Sequence, residues 1–325
     1  MNAFESINQG YNRVFKANQL TLGIVVPIEN YAQHAVPSMK AHLERVQLIE
    51  QLGFVALWVR DVPLHVPSFG DAGQTFDPFT YLAYLAGQTS QIALGVASIA
   101  LPLHHPIHVA KSAASIDQLS DGRLILGVAS GDRFEEYPGM GLDYQQRGAL
   151  FRSAFEYIRR AAEDFPHLDS EHYGVLNGQV DILPKPKGVK LPMLVTGHSR
   201  QSINWIAQHG DGWIYYPRNL YMQQHNISEW RSLIPAERKY GQPFMQPLYV
   251  DLQADDDFLP QPIHLGFRMG SKALIEYLHH LQSIGVNHVA INLRFNTHEI
   301  ESSLERLATK VLPHFPTHLQ KQTTS

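Results

Sequence analysis

Two hydrophobic patterns alternate along this chain. Short apolar runs without inside/outside alternation fit strands buried on both faces, and between them lie longer stretches whose apolar residues return every three or four positions, as on one face of a helix. Residues 92–131 show both: the runs 92–99 and 124–129 flank a segment in which Val109, Ser112, Ala113, Ile116 and Leu119 recur at helical spacing, and Asp121-Gly122 ends the helix. That is one strand–helix–strand unit with parallel strands. Further strands are predicted at 22–26, 55–59, 193–196, 212–216, 247–252 and 288–293, each followed by a helical stretch, the last at 299–312. Eight such units in a chain somewhat longer than the usual ~250 residues predict a (β/α)8 TIM barrel with insertion loops at the C-terminal face.

The excess length falls in three places. Residues 60–76 follow the second strand and are rich in Pro and Gly, 171–186 read as a small hairpin around Asn177-Gly178, and 253–268 follow the seventh strand as an irregular piece. The first and third hang from strand C-terminal ends, where barrel active sites are built. Functional lids, solvated loops and oligomer contacts all fit such segments. No repeat, low-complexity tract or linker interrupts the pattern, which predicts a single domain over 1–325 with a frayed polar tail at 316–325.

Composition narrows the function. With 325 residues, 44% of them hydrophobic and 17% charged, the chain can bury the large core of a soluble globular protein. A net charge of −4 with scattered Lys and Arg leaves no basic face for nucleic acid. The absence of Cys excludes disulfides, thiolate metal sites and thiol nucleophiles, and fits a cytoplasmic location. No segment reads as a signal peptide or a membrane span, so no membrane partner is expected. The 18 His include no His-Glu-x-x-His spacing, and no metal site is predicted.

Polar residues at the C-terminal ends of barrel strands face the mouth. Here they are Glu29, Asn30, Arg60, Asp61, Ser98, Ser130, Gly131, Asp132, Gly197, His198, Ser199, Tyr215, Tyr216, Asn292 and Arg294. Amides, hydroxyls and glycines outnumber close carboxylate pairs, which suits holding a large planar anion better than hydrolysing a glycoside. Gly197 allows close approach, and Ser199 is a candidate N-cap for a helix through 205–209. Free N–H groups there predict a phosphate cradle, although a plain capped turn accounts for the same residues. Tyr144 and Arg147, opening the helix that runs to Arg160, offer a phenol and a guanidinium to the same anion. Asp211-Gly212 opens the next strand or simply ends the preceding helix. His104 and His105, just above the third strand, are the catalytic candidates as proton donors or substrate contacts, with Pro106 at a first helical turn as the architectural alternative. Phe69, Phe76, Phe258 and Phe267 in the long loops suggest a partly apolar substrate or a packed lid.

The stretch TSQIALGVASIALPLHHPIHVAKSAASIDQLSDGRLILGVASGD and the later LPMLVTGHSRQSINWIAQHGDGWI resemble, in order and spacing, the hallmark segments of the bacterial luciferase-like flavin monooxygenase superfamily. The resemblance implies a (β/α)8 barrel that takes reduced FMN, or in one branch a deazaflavin coenzyme, at its mouth. It implies that Asp61 and Ser98 lie beside the isoalloxazine, with a non-proline cis peptide near Ser98, and that Ser130 and Gly131 approach the ring or ribityl chain. By the same likeness Tyr144, Arg147, Gly197, His198 and Ser199 hold the phosphate, with Gly212 and Trp213 nearby. A monooxygenase acting on a small-molecule substrate, a separate flavin reductase as partner and a homodimer are further implications. A deazaflavin member would instead be a hydride-transferring dehydrogenase or reductase, and a degenerate one a non-catalytic flavin-binding barrel. The chain departs from some members in having no Cys near the flavin.

Overall fold

A computed structural model describes residues 3–238 and 240–319. The unalternating runs become β1 (Thr21–Val25), β2 (Ala56–Val59), β3 (Ala93–Ala100), β4 (Leu124–Ala129), β7 (Met193–Thr196), β8 (Trp213–Ile214), β9 (Phe244–Leu252) and β12 (His288–Asn292). Each pairs in parallel with its neighbours in the order β9-β12-β1-β2-β3-β4-β7-β8, and the pairing of Trp213 with Phe244 closes the ring. The expected (β/α)8 barrel is what forms.

The helices are α1 (Gln9–Val14), α2 (His42–Leu52), α3 (Pro78–Gln88), α4 (Pro106–Leu119), α5 (Glu136–Gly139), α6 (Arg147–Ala161), α7 (Ile203–His209), α8 (Leu220–Ser232), α9 (Ser271–Ser283) and α10 (Ile300–Arg306). α4 begins with Pro106 at its first turn and stops where Asp121 and Gly122 take positive φ. α6 turns Leu150, Phe151, Ala154, Phe155 and Ile158 inward at helical spacing. Buried side chains between strands and outer helices form the larger core. A second, smaller core fills the barrel itself, where Trp58 fits because Gly95 faces it: a Cβ at Gly95 would lie 2.3 Å from the ring.

α1, absent from the sequence reading, plugs the N-terminal end of the barrel. Its Tyr11 and Val14, with Ile7 and Phe15, join the interior core. Asn8 donates through Nδ2 to Leu124 O (2.8 Å) and Asp117 Oδ1 (2.9 Å), and the Tyr11 hydroxyl donates to Asp211 O at 2.7 Å. Six mostly polar residues carry too short a period to stand out as a helix.

Two insertions differ from expectation. The hairpin β5 (His167–Ser170) and β6 (Gly174–Asn177) turns at 171–173, and Asn177-Gly178 instead ends its second strand. Residues 253–268 are not irregular throughout: β10 (Gln261–Ile263) and β11 (Gly266–Met269) form a hairpin whose second strand runs parallel to the upper half of β9. Of the predicted frayed tail, 320–325 lie outside the described residues, whereas His318 Nδ1 bonds Phe54 O at 3.0 Å.

Candidate active site

At the C-terminal ends of the strands two cavities adjoin, sharing Arg60, Phe69, Ala97, Thr196 and Tyr216. One, of about 280 Å³, is lined by Asp61, Ser98, Ser130, Gly131, Gly197, His198 and Ser199, so seven of the residues expected at a cofactor come together. The other, of about 470 Å³, runs down the barrel axis to Val25, Trp58, Ile214, Met245 and Ala290. The larger volume lies in the range of small-molecule sites, and the smaller falls just below it.

In the smaller lobe β3 carries a cis peptide between Ala97 and Ser98, where the resemblance implied one. Ser98 Oγ bonds Thr196 Oγ1 across the mouth. Ser199 Oγ donates to Thr196 O (2.7 Å) and accepts from Ser130 N (3.3 Å), tying the ends of β4 and β7 together. The turn after β7 is left-handed at Gly197, Ser199 and Arg200, and space beyond the Gly197 Cα is open. Among the described residues the N–H groups of His198, Ser199 and Arg200 have no hydrogen-bond partner. Successive unpaired amides in such a turn form a concave anion site. Gln201 pins the turn to the first turn of α6, donating to Gly148 O at 2.8 Å while its Oε1 accepts from Arg152.

Ser199 is not the N-cap expected of it. The cap of α7 is Ser202, whose side chain accepts from Trp205 N, so the amides facing the cavity belong to the turn and not to the helix start. Tyr144 and Arg147 stand outside the cavity lining: the Arg147 guanidinium lies 3.5 Å over the Tyr144 ring, which packs edge-on against Tyr137. Trp213 backs the turn from behind, its Nε1 donating to Gly197 O at 2.7 Å. Gly212 sits a residue further toward the barrel floor, facing Pro243 O, because β8 begins after it. The preceding Asp211 is buried there between Arg159 and Lys190.

The two candidate histidines part company. Residues 104 and 105 have extended backbone, so their side chains leave on opposite sides. His104 Nε2 meets Asp61 Oδ2 at 2.7 Å, and the same oxygen accepts from Ala100 N at 3.0 Å. Burial works against charge on His104, but the hydrogen bond and the attraction of Asp61 prevail and hold its pKa above the ordinary value. His105 instead caps α4 and packs against Tyr157 and Tyr173, away from the mouth. As a catalytic candidate it falls away.

The larger lobe holds residues that pattern reading did not connect. Asp71 Oδ2 receives both Arg60 Nη1 and Arg294 Nη1 at 2.9 Å, and Asp71 Oδ1 accepts from Gly73 N (2.9 Å) and the Tyr31 hydroxyl (3.2 Å). Arg60 and Arg294 were visible as strand-end residues, but Asp71 and Tyr31 sit in loops with no local signal. Of the other mouth residues, Glu29 is spent on Ser38, and Asn30 on Ala32 N. Of the loop aromatics, Phe69 lines both lobes, Phe76 packs on His42 and Tyr81, and Phe267 packs on Tyr277. Among the described residues no group of three or more His, Asp or Glu is placed to hold a metal, and no helix is long and apolar enough to cross a membrane.

A closed parallel barrel whose mouth joins an amide-lined turn to a deep, partly charged cavity is a (β/α)8 barrel with its open cavities at the C-terminal face. The chain belongs to the luciferase-like monooxygenase family, whose profile matches residues 20–250. It is 29% identical to the alkanal monooxygenase alpha chain of Photorhabdus luminescens over 174 residues, 53% of this chain and 46% of that one. The match thus spans about half the length of that relative. Its fold is similar to that of the monooxygenase RslO1 from Streptomyces bottropensis, with a TM-score of 0.73 at 17% identity over 90% of this chain and 99% of that one. An F420-dependent secondary alcohol dehydrogenase, solved with an F420-acetone adduct, is equally similar at TM-score 0.73 and 15% identity, over 91% and 99%.

Proposed function

We propose that the chain is a flavin-dependent oxidoreductase in which reduced FMN and molecular oxygen oxidise a small organic substrate. The supporting observation is the pairing of a turn of unpartnered amides, 197–200, with a cavity large enough for a planar ring system beside it. Bound reduced flavin would supply the electrons, as cofactors do in general. The protein's part is to hold and orient it. The amides of His198, Ser199 and Arg200 would take the phosphate, with the positive end of α6 and Arg147 close behind. Ser98, Ser130 and Gly131 would border the ring and ribityl chain. Asp61, with His104 as the reservoir behind it, would exchange a proton with the site while Phe69 and the 60–76 loop exclude water.

A deazaflavin coenzyme is the second reading, favoured by the likeness to the F420-dependent dehydrogenase. It would make the chain a hydride-transferring dehydrogenase or reductase. One domain, a cytoplasmic location, a homodimer and a separate flavin reductase belong to the same proposal. Titrating the purified chain with FMN, reduced FMN and a deazaflavin coenzyme, followed by absorbance, tests it. Saturable binding of one of them, lost in Gly197→Asp, is expected. Binding that survives both Gly197→Asp and Arg147→Glu overturns the site assignment, and binding without oxygen or substrate consumption leaves a flavin-binding barrel.

A further inference from the structure

The larger lobe of the mouth is cationic at its rim and apolar at its floor. Arg60 follows β2, Arg294 follows β12 and Arg218 follows β8, and all three line the cavity with a single carboxylate, Asp71. That carboxylate is fully committed: one oxygen is shared by Arg60 and Arg294, and the other is taken by Gly73 N and Tyr31. One negative charge therefore faces two guanidinium groups whose remaining bonds go to neutral acceptors: Arg60 Nη2 donates to the Tyr31 hydroxyl and Arg294 Nη2 to Gly70 O, both at 3.0 Å. Arg60 Nε and Arg294 Nε are buried without a hydrogen-bond partner among the described residues. Arg218 forms no ion pair among them and lies exposed, 5.7 Å over the Tyr215 ring. The other carboxylates near the mouth, Asp61, Asp132 and Glu136, line the smaller lobe, where Asp61 is held by His104. Surplus positive charge beside an apolar wall is costly unless an anion completes it.

We infer that the substrate of this site is an amphipathic organic anion, with a carboxylate or sulfonate head at the Arg60–Arg294 rim and an apolar body directed down the axis toward Ile214 and Met245. The inference rests on the flavin reading only in calling this ligand a substrate; the binding itself is a property of the chain. Guanidinium groups donate well to multi-oxygen anionic heads such as carboxylate and sulfonate, and Arg218 at the entrance draws them in.

The probes are octanoate and octanesulfonate against octanol and octylammonium, titrated into the chain with and without FMN and read by intrinsic tryptophan fluorescence, since Trp58 lines the cavity. Both anions should bind about tenfold or more tighter than octanol, with octylammonium weakest. Arg294→Gln should remove most of that preference. Arg218→Gln, which breaks no ion pair, should weaken the anions several-fold, by roughly the worth of one partly screened charge, with folding intact. Equal binding of octanol and octanoate overturns the inference, as does anion binding unchanged in both variants. A parallel loss of FMN but not riboflavin affinity in Arg294→Gln also overturns it, because the rim would then serve the cofactor's phosphate. Failure of both FMN and a deazaflavin coenzyme to bind, with the anion preference intact, would defeat the flavin reading alone.

Discussion

Arginines at the two ends of the barrel are treated differently. At the floor, Arg123 is 3% exposed and uses all five of its N–H groups: Nε on Ser120 O, Nη1 on Thr89 Oγ1 and Ile92 O, Nη2 on Ala86 O and Thr89 O, at 2.7–3.0 Å. At the mouth, Arg60 and Arg294 divide one carboxylate between them, and each buries an Nε without a partner among the described residues. Histidines repeat the contrast. His288 at the floor accepts from Trp58 Nε1 at 2.9 Å and meets Thr21 Oγ1 at 2.7 Å, and with only neutral partners burial drives its pKa down to about 3. His104 near the mouth has a carboxylate and moves the other way. The floor arginine is saturated and the mouth arginines are not, although the floor is not satisfied throughout, since Gln242 Oε1 is also buried without a partner among the described residues.

The contrast is sharpest for Arg123. Arg123→Met strands several buried carbonyls and should cost about 3–5 kcal/mol in urea unfolding, while flavin affinity of the folded fraction stays as it was. A loss below about 1 kcal/mol would break the comparison, since the floor would then be no better satisfied than the mouth.

pH separates the histidines. Between about 6.5 and 3 the unfolded chain protonates His288 and the folded chain does not, so stability should fall on acidification, by at most about 1.4 kcal/mol per pH unit from this one group. His104 has the opposite sign: its raised pKa lends stability that is fully present below 6.5 and is lost as pH rises through the folded value. Urea unfolding of His288→Gln and His104→Gln across pH should flatten the acid limb and the near-neutral limb respectively. The same limb flattening in both variants would show that their environments are alike.

Smaller effects are expected at the mouth. Arg294→Gln should cost about 1–2 kcal/mol of stability, read by thermal unfolding, because Asp71 keeps Arg60, Gly73 and Tyr31. A cost matching that of Arg123→Met would make it a structural clamp like the floor residue. Smallest of all, His105→Ala should lose no more than about 1 kcal/mol with its weak cap and leave flavin binding unchanged. A change in flavin affinity there would return His105 to the site.

Part of the family resemblance lies at the floor. In SIDQLSDGR, Asp117 accepts from Asn8 and Lys187 N, and Arg123 clasps the ends of α3 and β3, so these two polar residues hold the closed end together and lie outside the lining of both mouth cavities. Likeness of that kind identifies the scaffold more readily than the substrate.

Strand and helix periodicity, the close of α4 at Asp121-Gly122 and the strand-end position of Asp61, Ser98, Ser130 and Gly197 are short-range properties, carried by neighbours within a few turns of chain, and they could be read directly from residue order. Others came from packing between distant segments. Which of two adjacent histidines meets Asp61 depends on the pairing of β2 with β3, the plugging of the floor by α1 on the packed ring, and the meeting of Tyr31, Arg60, Asp71 and Arg294 at one carboxylate on closing the barrel from β1 to β12. Residues as far apart as 71 and 294 have no shared period or motif, and only ring closure brings their charges within hydrogen-bonding distance.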